Sequence, residues 1–244
     1  MAMTVMRTRL KNELDTRLST RLIKGVYAIT PERSAVWTPD AIVDCVAAAL
    51  DGGVRLFQCR QKNWDQAELI EFAGQLDALC EKYDAALILN DVPSVEFSKF
   101  EGGAVAGVHL GRTDEAIAQA RSRLGSKWLV GASCYNQFEL AEQAVRDGAS
   151  YVAFGAMYPS STKPNAVRAE LELFARASNL GVPTVAIGGI TIERVPDLIT
   201  AGANAVAVVN GLFGVEPDAE QVCGVAQQWV DAVNGCSQVN QAES

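Results

Sequence analysis

The sequence predicts an α/β fold: a single (β/α)8 TIM barrel with an N-terminal helical or flexible extension. Short apolar runs alternate with longer stretches of helical period, and small-residue turns recur about every fifty residues. The length of 244 residues also suits one barrel, which commonly takes roughly 250.

Along the chain, Val26–Thr30, Arg55–Cys59, Ala86–Asn90, Ala106–Leu110, Trp128–Ser133, Tyr151–Phe154, Thr184–Ile187 and Ala205–Val209 read as strands. Their continuous apolarity suits parallel strands buried on both faces. Ile42, Cys45, Val46, Ala49 and Leu50 repeat at helical spacing, as do Val222, Val225, Ala226, Trp229 and Val230. The pattern gives helices between the strands and one after the last. Turns at Asp51-Gly52-Gly53, Glu101-Gly102-Gly103, Asp147-Gly148-Ala149 and Ala201-Gly202-Ala203 have first glycines 50, 46 and 54 residues apart. Each turn closes a helix and feeds an even-numbered strand. Two strands and two helices per repeat fit quarter-barrels better than a propeller or solenoid. An open doubly wound sheet shares the alternation and stays open at this point.

Charge divides the chain. Residues 1–24 carry Arg7, Arg9, Lys11, Arg17, Arg21 and Lys24 against Glu13 and Asp15, net +4, and the remainder is net −12. The expected organisation is a basic extension at 1–24, a catalytic barrel at 25–234 and a C-terminal tail at 235–244. The extension lacks the apolar centre of a secretory signal. Its arginines allow a transit peptide, although a helical or frayed extension is simpler. So acidic a body disfavours nucleic acid as a partner. No apolar run approaches the ~20 residues of a membrane span. Six scattered cysteines without a Cys-x-x-Cys pair, and a single histidine, argue against a zinc site. Reduced, mostly buried thiols in a cytoplasmic protein account for them.

Polar residues collect where the strands end, and in a barrel those ends share the face that carries the active site. Gln58, Arg60 and Lys62 alternate, so an extended chain puts them on one face. With Lys163 from a distant loop they suit a di- or polyphosphate, and a solvated, salt-bridged rim is the alternative. Asp91 and Asp114 can hold Mg²⁺, which favours one or two carboxylates with waters and phosphate oxygens. A turn before Pro93 is the plain reading of Asp91, and a helix N-cap that of Asp114. Gly188-Gly189 and Asn210-Gly211 follow strands seven and eight, where barrels often bind a phosphate monoester, with ordinary turn glycine as the alternative. Tyr158 to Pro164 reads as a polar active-site loop, with a plain surface loop as the alternative. His109, alone inside an apolar strand, reads as a hydrogen-bonded structural residue. Cys134 reads as packing, with no histidine beside it to activate it.

Seven segments in register then resemble the thiamine phosphate synthase (thiamine-phosphate pyrophosphorylase) family over roughly residues 25–215. They are Tyr27-Ala28-Ile29-Thr30, Gln58-x-Arg60-x-Lys62, Asn90-Asp91, Gly107-Val108-His109-Leu110-Gly111, Gly131-x-Ser133, Tyr158-Pro159-x-x-Thr162-Lys163-Pro164 and Ala186-Ile187-Gly188-Gly189-Ile190. The resemblance implies a Mg²⁺-dependent transferase. It would join hydroxymethylpyrimidine diphosphate to hydroxyethylthiazole phosphate, giving thiamine phosphate and pyrophosphate through a pyrimidine carbocation. It implies Asp91 and Asp114 as metal ligands, and Arg60, Lys62, Asn90, Ser133 and Lys163 around the diphosphate, with Gln58 near the pyrimidine. Lys163, Arg60, Lys62 and Ser133 are the implied catalytic residues. Thr162, Ser160 and backbone at Gly189, Val209 and Asn210 complete substrate binding.

Some positions depart from the family pattern. Gln61 replaces an acid but should point away from the site. Arg112 stands for a glutamine, Ser160 for a threonine, Tyr135 for a histidine and Asn210 for a serine. A thiazole tautomerase-like relative is the nearest rival, yet it would need the histidine that Tyr135 replaces. A sugar-phosphate isomerase or epimerase lacks its catalytic acids here. A non-catalytic thiamine-phosphate sensor would not need the intact cation set. The expected partners are the two small-molecule substrates, and a homo-oligomer is open to a barrel of this kind.

Overall fold

A computed structural model of the chain describes residues 18–91, 94–111, 116–159 and 167–242. Eight parallel strands close on themselves in sequence order: β1 (Gly25–Ile29), β2 (Leu56–Cys59), β3 (Ala86–Asn90), β4 (Val105–Leu110), β5 (Leu129–Tyr135), β6 (Tyr151–Phe154), β7 (Thr184–Ile187) and β8 (Ala205–Val208). Val26 pairs with Val206 and Tyr27 with Ala207, so β1 and β8 seal the ring. That closure excludes the open sheet.

The crossovers are α1 (Pro39–Asp51), α2 (Gln66–Lys82), α3 (Ile117–Leu124), α4 (Phe138–Arg146), α5 (Glu172–Ala177) and α6 (Val195–Thr200). After β8 come the short α7 (Asn210–Phe213) and the long α8 (Ala219–Ala242). The link from β3 to β4 departs from the expected helix and forms a 3-10 segment, Ser94–Phe100. Its sequence offers Pro93 before it and Gly102-Gly103 after it, which leaves no room for the three turns of an ordinary α-helix.

Local chemistry fixes the helix starts. Thr38 Oγ1 accepts from the Ala41 amide at 3.2 Å, with Pro39 at the first helical position. Asp65 and Glu68 form a reciprocal capping box on α2. Such caps are each worth about 1 kcal/mol. For α3 the N-cap is Ala116, without a side-chain bond, and Asp114, weighed above as a cap, lies outside the described residues.

Two apolar layers hold the barrel. Between sheet and helices lie residues such as Phe57, Leu87, Val130, Phe174 and Trp229. Inside the ring, Ile23, Tyr27, Leu56, Ile88, Leu129, Tyr151, Val185 and Ala207 form a second cluster. Residues 18–22 are helical, and Leu18, Leu22 and Ile23 pack on this inner cluster. The barrel interior is therefore a packed core rather than a pore. All six cysteines are free, and Cys45, Cys59, Cys80 and Cys134 are buried. Among the described residues no helix is long and apolar enough to cross a membrane.

Candidate active site

Each predicted site residue that the structure describes lies at the C-terminal end of its strand or just beyond it. Gln58 sits in β2, with Arg60 and Lys62 after it; Asn90 ends β3 and Asp91 follows. Ser133 lies in the second half of β5, Gly189 follows β7, and Val209 and Asn210 follow β8. Asp114, Ser160, Thr162 and Lys163, together with Arg112, lie outside the described residues.

Arg60 and Lys62 meet at a residue the sequence reading passed over. Glu32, in the loop after β1, accepts from Arg60 Nη1 at 2.6 Å through Oε1 and from the Lys62 amide at 3.1 Å through Oε2. Thr30 adds a second tie, since its Oγ1 accepts from the Arg60 amide at 2.9 Å. The intervening Gln61 is buried and reaches the same loop. Its Nε2 donates to the Pro31 carbonyl at 2.6 Å, and its Oε1 accepts from the Arg33 amide at 2.8 Å. The loop after β1 thus clamps the chain that carries both cations. The signal for Glu32 was available, because it is a charged residue at a strand's C-terminal end like the others.

Asp91 adopts a left-handed conformation (φ 56°) and is exposed. An aspartate tolerates that region better than most residues. Asn90 Nδ2 donates to Asp91 Oδ2 at 2.6 Å, so the amide orients the neighbouring carboxylate.

Gln58 is 3% exposed and begins a line of hydrogen bonds through the barrel. Its Nε2 donates to the Tyr27 hydroxyl at 2.8 Å. The Tyr27 and Tyr151 hydroxyls lie 3.0 Å apart, Tyr151 Oη is 3.0 Å from His109 Nδ1, and His109 Nε2 is 2.9 Å from Ser133 Oγ. Burial raises the pKa of both phenols well above the ordinary value, so each keeps its proton at neutral pH. Gly131 makes the line possible, because a Cβ there would overlap the Tyr151 ring. His109 is thus hydrogen-bonded through both ring nitrogens, in keeping with its structural reading. Burial pushes the Cys134 thiol up to about 12 and excludes it as a ready nucleophile.

The glycines after β7 have a packing role. The Met157 and Tyr158 amides donate to the Ile187 and Gly188 carbonyls, each at 3.0 Å. At Gly189 (φ 64°) a Cβ would overlap the carbonyls of Tyr158 and Pro159. After β8, exposed Asn210 opens α7, and Trp229 Nε1 braces the turn by donating to the Gly211 carbonyl at 3.0 Å. Tyr135 is 40% exposed with a left-handed backbone (φ 54°).

Fold and mouth together define a (β/α)8-barrel protein with its polar chemistry at one end, the layout of barrel enzymes that act on small phosphorylated molecules. The sequence pattern of one family, described as thiamine monophosphate synthase, matches residues 26–212, and the chain belongs to that family. Thiamine-phosphate synthase of Chromobacterium violaceum is 46% identical over 198 residues, 81% of this chain and 92% of that protein. The protein of the same name from Methylobacillus flagellatus is 45% identical over 198 residues, 81% of this chain and 91% of its own. Among solved structures, thiamine phosphate pyrophosphorylase from Pyrococcus furiosus superposes with a TM-score of 0.73 at 26% identity, covering 88% of this chain and 98% of the other.

Proposed function

We propose that this chain is a thiamine-phosphate synthase, a transferase that joins hydroxymethylpyrimidine diphosphate to hydroxyethylthiazole phosphate and releases pyrophosphate. The observation that carries the reading is the clamped pair Arg60–Glu32 beside Lys62, on the strand end that also holds Gln58. A guanidinium gripped in place before substrate arrives needs no reorganisation when negative charge develops on a departing diphosphate. Breaking the pyrimidine C–O bond first leaves a carbocation that the thiazole nitrogen captures. Such a path requires neither a nucleophile nor a strong base, which agrees with a sealed Cys134 and a fully engaged His109.

Arg60, Lys62, Ser133, Asn90 and Lys163 hold the diphosphate in this account, and Gln58 reads the pyrimidine. Ser160, Thr162 and backbone at Gly189, Val209 and Asn210 receive the thiazole phosphate. The exposed, amide-oriented carboxylate of Asp91 fits Mg²⁺, and Asp114 is the proposed second ligand. A bound Mg²⁺ would neutralise phosphate oxygens as the leaving group separates. The chemistry suits a cytoplasmic enzyme with reduced thiols. A tautomerase-like role is disfavoured because Tyr135 holds the position where that chemistry would need a histidine.

Asp91→Asn is expected to raise the Mg²⁺ concentration for half-maximal rate by roughly tenfold or more, since loss of one anionic ligand weakens a hard-cation site. An unchanged Mg²⁺ titration removes Asp91 from the metal site. Lys163→Ala is expected to slow the single-turnover rate by about 10²-fold while thiazole phosphate binds nearly as before, because its charge meets the leaving group only as the bond breaks. Equal losses of pyrimidine and thiazole affinity with the single-turnover rate intact would reject that role. One pyrophosphate released per thiamine phosphate formed tests the reaction itself, and unequal amounts contradict it.

A further inference from the structure

The line from Gln58 to Ser133 spans five strands in the order β2, β1, β6, β4, β5, and every link is a hydrogen bond of 2.8–3.0 Å. Its three central members, Tyr27, Tyr151 and His109, are 1%, 0% and 8% exposed. So many polar groups inside an apolar core cost stability unless all are paired. The mechanism above assigns them no part.

Proton bookkeeping gives the line a direction. Each tyrosine hydroxyl has one hydrogen, and a neutral imidazole has one N–H and one bare nitrogen. When Gln58 Nε2 donates to Tyr27, the Tyr27 hydrogen turns to Tyr151 and the Tyr151 hydrogen to His109 Nδ1. His109 then carries its proton on Nε2 and donates to Ser133 Oγ, so the Ser133 hydrogen is released toward the mouth. Flipping the Gln58 amide reverses every link. Tyr27 then donates to Oε1, and the Ser133 hydrogen is drawn back onto His109 Nε2.

We propose that Tyr27, Tyr151 and His109 are positioning residues that form a polarity relay, coupling the amide orientation of Gln58 to the direction in which Ser133 offers its hydrogen. The inference rests on the functional reading above. A ligand edge that pairs an amino group with a ring nitrogen, as an aminopyrimidine does, matches Gln58 when Oε1 accepts and the second Nε2 hydrogen donates. That same orientation frees Ser133 to donate to a diphosphate oxygen. A heterocycle with the opposite edge favours the reversed line and withdraws the hydrogen from the leaving group. Recognition of the base is thereby transmitted to the site of bond breaking without movement of the backbone.

The test is a binding measurement with unreactive probes. Calorimetric titration of inorganic pyrophosphate at fixed Mg²⁺ is compared with and without saturating hydroxymethylpyrimidine, the alcohol that lacks the diphosphate. In the unaltered protein the pyrimidine is expected to tighten pyrophosphate by roughly 5–10-fold, in the ordinary range of coupling between sites. Tyr151→Phe and Tyr27→Phe each remove one hydroxyl and keep the ring. In both, the two probes are expected to bind separately while the coupling falls to about onefold. A purely structural role would shift Tm and leave the coupling in place. Coupling that survives in either folded Phe variant, or that is absent from the unaltered protein, overturns the relay while the functional reading stands. Failure of the unaltered protein to bind either probe overturns that reading and the relay with it.

Discussion

Arg60→Ala is expected to lower kcat/KM for the pyrimidine diphosphate by about 10²–10³-fold, the usual consequence of removing one preorganised group that meets developing charge. The structure makes this site more sensitive than a lone arginine would be. Glu32 lies 2.6 Å from the Arg60 guanidinium and also anchors the Lys62 amide. Without Arg60 its carboxylate would stand unopposed at the mouth and repel the substrate. Arg60→Ala combined with Glu32→Gln should therefore recover roughly tenfold of the loss, because glutamine keeps an acceptor for Lys62 and drops the charge. Steady-state kinetics of the three variants decide it. A double variant no better than Arg60→Ala would mean that Glu32 acts only as a loop anchor.

Gly131→Ala is expected to damage both the barrel interior and the activity. The added Cβ overlaps the ring of Tyr151, which is fully buried and surrounded by neighbouring strands. Overpacking of this kind costs about 1–3 kcal/mol. For a domain of this size that lowers Tm by roughly 2–12 °C at about 2–4 °C per kcal/mol. Displacing Tyr151 also breaks its contacts to Tyr27 and His109, so activity should fall further than the loss of folded protein explains. Thermal unfolding followed by circular dichroism tests the first part, and rate per folded molecule the second. An unchanged Tm would show that the ring has room to move, which the packing described here denies.

The barrel was legible because its strands are short, apolar on both faces and separated by glycine turns. Ala86–Asn90, Tyr151–Phe154 and Thr184–Ile187 fall on β3, β6 and β7 residue for residue. The segment between β3 and β4 misled because the alternation of the barrel suggests a helix where the chain has length only for Ser94–Phe100. At the mouth, alternation singled out Gln58, Arg60 and Lys62 as one set, whereas the ties of Gln61 to the loop after β1 depend on contacts distant in sequence. Glu32 was not legible as a partner of Arg60 because the two lie 28 residues apart on different strand ends. Tyr27 and Tyr151 were illegible for a different reason. They are separated by 124 residues and meet only through strand register and the vacant side chain of Gly131, neither of which a linear pattern displays. His109 looked structural from its apolar surroundings, and it is bonded through both nitrogens as that reading required. Its link to Ser133, 24 residues away on the next strand, is what ties it to the site.

The most direct measurement mixes the purified chain with hydroxymethylpyrimidine diphosphate, hydroxyethylthiazole phosphate and Mg²⁺, and follows thiamine phosphate against an EDTA control. The account predicts product that requires both substrates and stops when the metal is chelated. A folded protein that binds both substrates and forms no thiamine phosphate would contradict it, and would make the chain a binding protein on the same barrel.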